Sequence, residues 1–387
     1  MVPSALPRIY RVTDPLLEAI VFHGLAGADP APALSGNWEP ILETIVLQRL
    51  AGAALDLVTT FDVALPERVR RTLTAARYHE RCFTLLAELS AATITGVLRR
   101  ADVPFVVVKG PSIAALDPVP GARPFIDADL LVAPGRFEDA MSAASSAGFG
   151  YDSDRPARAY YERLCYEGVN LVDADGRSID IHHHVPPWWA GSELTYDRVA
   201  RDARTARIGG EDVPLASATS NLFIAALHLV SDRNLPGHKL LSWRDVMLTC
   251  TLVDPSDVAT AARDTGLGWW LHWVLAQMPQ TPDITSLTQA LADSFDVRAP
   301  RVSAARVKAL SASGETGLNL AFAARLPIPN AAAYLGGQLL PSKQSRAARL
   351  EGDESMLAWW RHVLRSARSA RPAANPVRHD TGPKTDS

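Results

Sequence analysis

Asp127 and Asp129 stand two residues apart in the run Phe125-Ile126-Asp127-Ala128-Asp129-Leu130-Leu131-Val132. Residues two apart on a strand share a face. This run therefore has one face with adjacent carboxylates and an opposite face formed by Ile126, Ala128 and Leu130. Two anions held together among apolar neighbours are costly unless cations neutralise them. Divalent metal with oxygen ligands is the simplest remedy. A third carboxylate, Asp180, lies in Ser178-Ile179-Asp180-Ile181-His182-His183-His184-Val185. Alternation places it with His182 and His184, opposite Ile179, Ile181 and His183. Three acids from two neighbouring strands can hold two Mg²⁺ ions, an arrangement suited to in-line phosphoryl transfer. Asp180 can also accept a proton from an attacking hydroxyl.

Phosphate chemistry is written just upstream. Lys109-Gly110-Pro111-Ser112 follows an apolar run at 104–108. Free backbone N–H groups at such a turn, with the Ser112 hydroxyl, can cradle a phosphate, although Pro111 removes one donor. Lys109 and Arg123 supply positive charge near a triphosphate, and Lys239 reaches toward it from the helical side. Neither a Walker A sequence nor a complete dinucleotide-binding fingerprint is present. The His182-His183-His184 run invites a zinc reading. Alternation separates His183 from its neighbours, however, and no cysteine is near, so His182 reads as a residue that orients Asp180 or contacts phosphate. His228, in an apolar helix, reads as a core histidine. Trp188 and Trp189 read as an anchor for the chain leaving the sheet.

The elements that must position these groups form three blocks. Residues 1–100 read as an N-terminal helical region. Leu42, Ile45, Val46 and Leu50 recur at helical spacing, as do Cys82, Leu85, Leu86 and Leu89, and both sets read as packing faces. Residues 101–215 read as an α/β core. It has strands at 104–108, 127–132, 166–172 and 178–185, a helix starting near Ser112 and another over 136–147. The turn Asp173-Ala174-Asp175-Gly176 joins two of the strands as a hairpin. Residues 216–371 read as a C-terminal helical domain with Trp269, Trp270 and Trp273 in its core. Its last part carries many arginines, which read as a solvated face. Residues 372–387 read as a disordered tail.

Composition sets outer bounds. The chain has 387 residues, 47% of them hydrophobic and 21% charged, with a net charge of −3. That excludes a disordered or collagen-like chain and offers no global basic excess for a polyanion. Three scattered cysteines, Cys82, Cys165 and Cys250, argue against a thiolate zinc site or a disulfide framework. With no apolar leader and no run of 18 apolar residues, the expectation is a cytoplasmic protein without a membrane partner.

The combination Val108-Lys109-Gly110, Arg123-Pro124-Phe125-Ile126-Asp127-Ala128-Asp129-Leu130-Leu131-Val132 and Ile179-Asp180-Ile181-His182 resembles the DNA polymerase β-like nucleotidyltransferase superfamily. More narrowly, it resembles an uncharacterised bacterial family within it. The resemblance covers roughly 100–190 best. It implies an α+β fold, with a mixed-sheet core flanked by N- and C-terminal helical regions. It also implies Mg²⁺-dependent transfer of NMP from an NTP, taken as ATP, with release of pyrophosphate. Asp127, Asp129 and Asp180 would be the metal ligands, with Asp180 also the base, and Gly110 and Ser112 would hold the triphosphate. The acceptor is expected to be a small molecule bearing a hydroxyl or phosphate. Nucleotidylation of a protein or tRNA is the second reading, and a catalytically silent nucleotide-binding scaffold the third.

Overall fold

The computed structural model describes residues 12, 14–25, 34–151, 168–185, 193–231, 240–294 and 355–361. The centre is a seven-stranded mixed sheet. Its strands are β1 (Phe105–Val108), β2 (Asp127–Val132), β3 (Gly150–Tyr151), β4 (Gly168–Val172), β5 (Ser178–His182), β6 (Arg204–Ile208) and β7 (Glu211–Leu215). They lie in the order β3-β4-β5-β2-β1-β7-β6. β2 runs antiparallel to β1 and parallel to β5, which puts Asp129 beside Asp180. β1 also pairs in parallel with β7. β1 is a short Val-rich strand buried along its whole length, as expected for a strand covered on both faces.

The hairpin of β4 and β5 turns where the sequence predicts. The Asp173 carboxylate accepts from the amides of Asp175 and Arg177, and Gly176 takes the left-handed backbone that the turn requires. β4 begins at Gly168; the expected start at Tyr166 falls outside the described residues.

Two apolar cores sandwich the sheet. Ala128, Leu130, Ile179 and Ile181 join Val107 on one side, packed under the helices Glu67–Arg100 and Phe137–Ser146. Val106, Val108 and Leu131 face the other way, into a core shared by the N-terminal helices and the helices from Ala218 onward. Strand alternation thus assigns Leu131 and the two aspartates to the second side. Trp269, Trp270 and Trp273 are buried there, with rings in edge and stacked contact.

The 34-residue helix Glu67–Arg100 corrects one expectation. Its buried face is Val69, Leu73, Thr84, Ala87, Ala91, Ile94 and Leu98. The stripe read as a packing face instead points outward: Leu85, Leu86 and Leu89 are about half exposed. The physical reason is the short side chains: Ala87, Ser90 and Ala91 let the helix lie close on the sheet, so the bulkier stripe is excluded. A segment of this helix is long and apolar enough to cross a membrane by length and composition alone. Here the helix covers the sheet.

A second correction concerns the turn after β1. The helix there is Lys109–Ala114, not one starting near Ser112. Lys109 and Gly110 therefore form its first turn, with Lys109 in the left-handed region at φ 52°.

Candidate functional site

The carboxylates line a cleft of about 400 Å³ between the sheet and the helices on its second face. Lys109, Gly110, Arg123, Asp127, Asp129 and Asp180 reach it from the sheet side. Gln48 and Arg49 enter from the N-terminal helices; His228, Ser242 and Asp245 come from the helices Ala218–Ser231 and Leu240–Cys250. Sequence segments almost 200 residues apart therefore build one concavity.

Asp129 is the centre of the polar network. It is buried, and its Oδ1 accepts from Lys109 Nζ at 2.7 Å. His182 Nε2 lies 2.9 Å from the same oxygen. Burial alone would raise the Asp129 carboxyl, but the Lys109 and His182 partners outweigh it and hold the group well below the ordinary carboxylate range. Burial likewise disfavours the Lys109 ammonium, and the charges of Asp129, Asp180 and Asp127 reverse that and keep it protonated. Lys109 is thus an internal counter-ion to the carboxylates.

Among the described residues Asp127 has no such partner. Burial, then the charges of Asp129 and Asp180, push its carboxyl up to about 6 against the opposing pull of Lys109 and Arg123. Asp180 is steadied by Asn170, whose Nδ2 donates to Oδ1 at 2.6 Å. Asn170 is the residue paired with Asp180 across the hairpin. The sequence reading missed it, although the hairpin register would have identified it.

Asp129, Asp180 and His182 each offer one ligand atom, all within 4.8 Å of one another. Two carboxylates and an imidazole form a donor set compatible with a divalent cation. Asp127 lines the same cleft but stands outside that cluster. His182, expected to orient Asp180, is itself one of the three. Its Nε2 is 4.0 Å from Asp180 Oδ2, and its Nδ1 is buried without a hydrogen bond among the described residues. Gly168 makes room for that ring: a Cβ there would stand 2.5 Å from Nδ1.

The expected phosphate contacts fare differently. Gly110 lines the cleft, and a side chain there would be crowded, since a Cβ would meet Phe125 Cβ at 2.8 Å. Ser112 is a correction. Its side chain is fully buried, its Oγ donates to the Ala216 carbonyl and accepts from Asn221 Nδ2. Helical geometry turns it into the core, where it ties the turn to the helix Ala218–Ser231 instead of meeting a phosphate. Arg123 lines the cleft but is committed to Asp245 through two hydrogen bonds of 2.6 and 2.9 Å, and to the Pro124 carbonyl. Its role as a triphosphate contact is thereby reduced to its charge. Lys239 lies outside the described residues, as do Trp188 and Trp189. His228, read as a core histidine, is half-buried and faces the cleft. Ile126 precedes the strand and sits exposed at the cleft rim, so it does not share the apolar face of Ala128 and Leu130.

A second ion pair adjoins the Arg123–Asp245 pair. Arg244, fully buried, binds Asp117 through Nε and Nη2 at 2.8 Å each and donates from Nη1 to the carbonyls of Val21 and His23. The loop between β1 and β2 is thus fastened by neighbouring residues of one helix, Arg244 and Asp245.

The chain matches the model of a family described as uncharacterised nucleotidyltransferase over residues 35–279. That span includes every cleft residue named above. No curated protein matches the chain. Among solved structures, a nucleotidyltransferase-like antigenic protein from Paracoccidioides brasiliensis is similar at 16% identity, over 55% of this chain and 88% of that one, with a TM-score of 0.32. A likeness that distant carries no argument here.

Proposed function

Because the chain belongs to the uncharacterised nucleotidyltransferase family, we propose that it transfers an NMP from an NTP to an acceptor hydroxyl on a small molecule, with Mg²⁺ and release of pyrophosphate. The observation that carries this reading is the convergence of Asp127, Asp129 and Asp180 in one cleft beside Lys109. The residues fit a divalent cation: Asp129, Asp180 and His182 already present close ligand atoms, and Asp127 brings a carboxylate whose ionisation is disfavoured without added positive charge. Bound there, the ion would supply positive charge to the phosphate oxygens as the displacement proceeds.

The chain's own residues do the rest. Asp180, oriented by Asn170, accepts the proton of the acceptor hydroxyl. The hydroxyl oxygen forms a bond to the α-phosphorus as the bond from that phosphorus to the bridging oxygen breaks, and pyrophosphate leaves. Lys109 keeps Asp129 ionised and fixes its orientation. Cleft walls from three chain segments hold the reactants in line, and such positioning supplies much of the acceleration in phosphoryl transfer.

The test is incubation with each α-labelled NTP, Mg²⁺ and cell extract. Label is expected in a small-molecule fraction, and the Asp127→Asn/Asp129→Asn double variant should lower transfer by about 100-fold or more. Label in protein or RNA instead would replace the small-molecule acceptor. No transfer from any NTP, or transfer unchanged in the variant, would overturn the reading.

A further inference from the structure

We propose that Arg49, contributed by the N-terminal helices, binds the polyphosphate of the nucleotide; the inference rests on the NTP reading above and names a residue of that same cleft.

Apart from His228, the basic side chains that line the cleft among the described residues are Arg49, Lys109 and Arg123. Lys109 is held by Asp129 and Arg123 by Asp245. Arg49 makes no side-chain hydrogen bond or ion pair among the described residues. Glu80 feels its charge but is not within ion-pair distance. A half-buried guanidinium facing a cleft, with its five donors unused, suits an anion with several oxygens.

Arg49 closes the helix Leu42–Leu47 in the left-handed region at φ 56°. The Leu50 amide donates back to the Ile45 carbonyl at 2.9 Å, the helix-ending turn in which glycine is the relaxed residue. Three other helices end in the same way, one of them on Gly148 and two on residues other than glycine. Val63 donates to Val58 after Asp62, and Val103 to Leu98 after Asp102, with φ of 50° and 52°. There the left-handed residue is aspartate, whose short polar side chain tolerates that backbone. At position 49 the residue is a long cation, without the short polar side chain that eases this backbone. The only other non-glycine residue with positive φ among the described residues is Lys109, in the same cleft. Backbone strain at functional positions is a known pattern, and here it coincides with the cleft cation that has no side-chain partner among the described residues.

Arg49→Gly relieves the backbone, while Arg49→Gln keeps the backbone cost and removes only the charge. Ligand-free melting temperature should be equal or higher for Arg49→Gly. Calorimetric affinity for inorganic tripolyphosphate and for Mg²⁺-NTP should fall about tenfold or more in both variants, with nucleoside affinity unchanged. Wild-type affinity in Arg49→Gly would overturn the inference while leaving the NTP reading intact. A lower melting temperature in both variants, with nucleoside affinity lost too, would assign Arg49 a structural role and overturn it as well. If the wild-type protein binds none of the four NTPs, both readings fall together.

Discussion

Asp127 holds the least favourable charge of the cleft, and its protonation should be measurable as stability. Its carboxyl is pushed up to about 6 in the folded chain, against roughly 3.9 in an unfolded one. A raised acid contributes stability while protonated. That contribution is complete below about pH 4 and is lost as pH rises through about 6. In EDTA, Asp127→Asn should therefore be more stable than wild type at pH 7.5, by ~2 kcal/mol at most given partial exposure, and no more stable at pH 4.5. Added Mg²⁺ should raise the melting temperature of wild type by more than that of the variant, which keeps Asp129, Asp180 and His182 but lacks the Asp127 charge. A variant destabilised equally at both pH values would refute this account. Strand alternation put Asp127 with Asp129 on one face of the first strand and Asp180 with His182 and His184 on one face of another; the parallel pairing of β2 and β5 joins them. Alternation could not separate Ser112 from its neighbours, because whether a hydroxyl meets a ligand or a core depends on the helix that starts at Lys109. Nor could it foresee that His228 faces the cleft, since an apolar helix with one histidine looks the same whichever side is wet.

At the scale of elements, the turn from β1 into the helix Lys109–Ala114 sets the geometry of the cleft floor. Gly110 lets that turn approach Phe125, which a Cβ would meet at 2.8 Å. Gly110→Ala should fold, at a cost of about 1–3 kcal/mol for overpacking. It should lower kcat by moving Lys109 off Asp129, without altering any carboxylate. Circular dichroism and steady-state kinetics would check this, and unchanged kcat would show that the close approach is not needed for turnover. The strands β1, β2 and β5 and the hairpin turn were legible because short β-branched runs and Asp-Gly turns are local signals. The face of the long helix was not. Two stripes of Glu67–Arg100 have helical spacing, and the choice between them is made by the sheet, which admits Ala87 and Ala91 and turns Leu85 and Leu89 away.

At the scale of the molecule, Arg244 joins the regions before and after the sheet to the loop that carries Arg123. It is fully buried, binds Asp117, and donates to two carbonyls near the end of the first helix. Arg244→Met would leave Asp117 buried and uncompensated, and unfolding in urea should show a loss of about 3–5 kcal/mol. A loss under 1 kcal/mol would mean that the joint is dispensable. No local pattern announces such a pair, because its partners lie 127 residues apart. The same fastening has a mechanical meaning. One helix grips the loop at Asp117 and again at Arg123, and buried pairs of this kind are screened little by salt. The cleft therefore has a fixed gauge. Substrates must be sorted by whether they fit an opening already cut to size, and ionic strength should reach their approach more readily than the width of the gate.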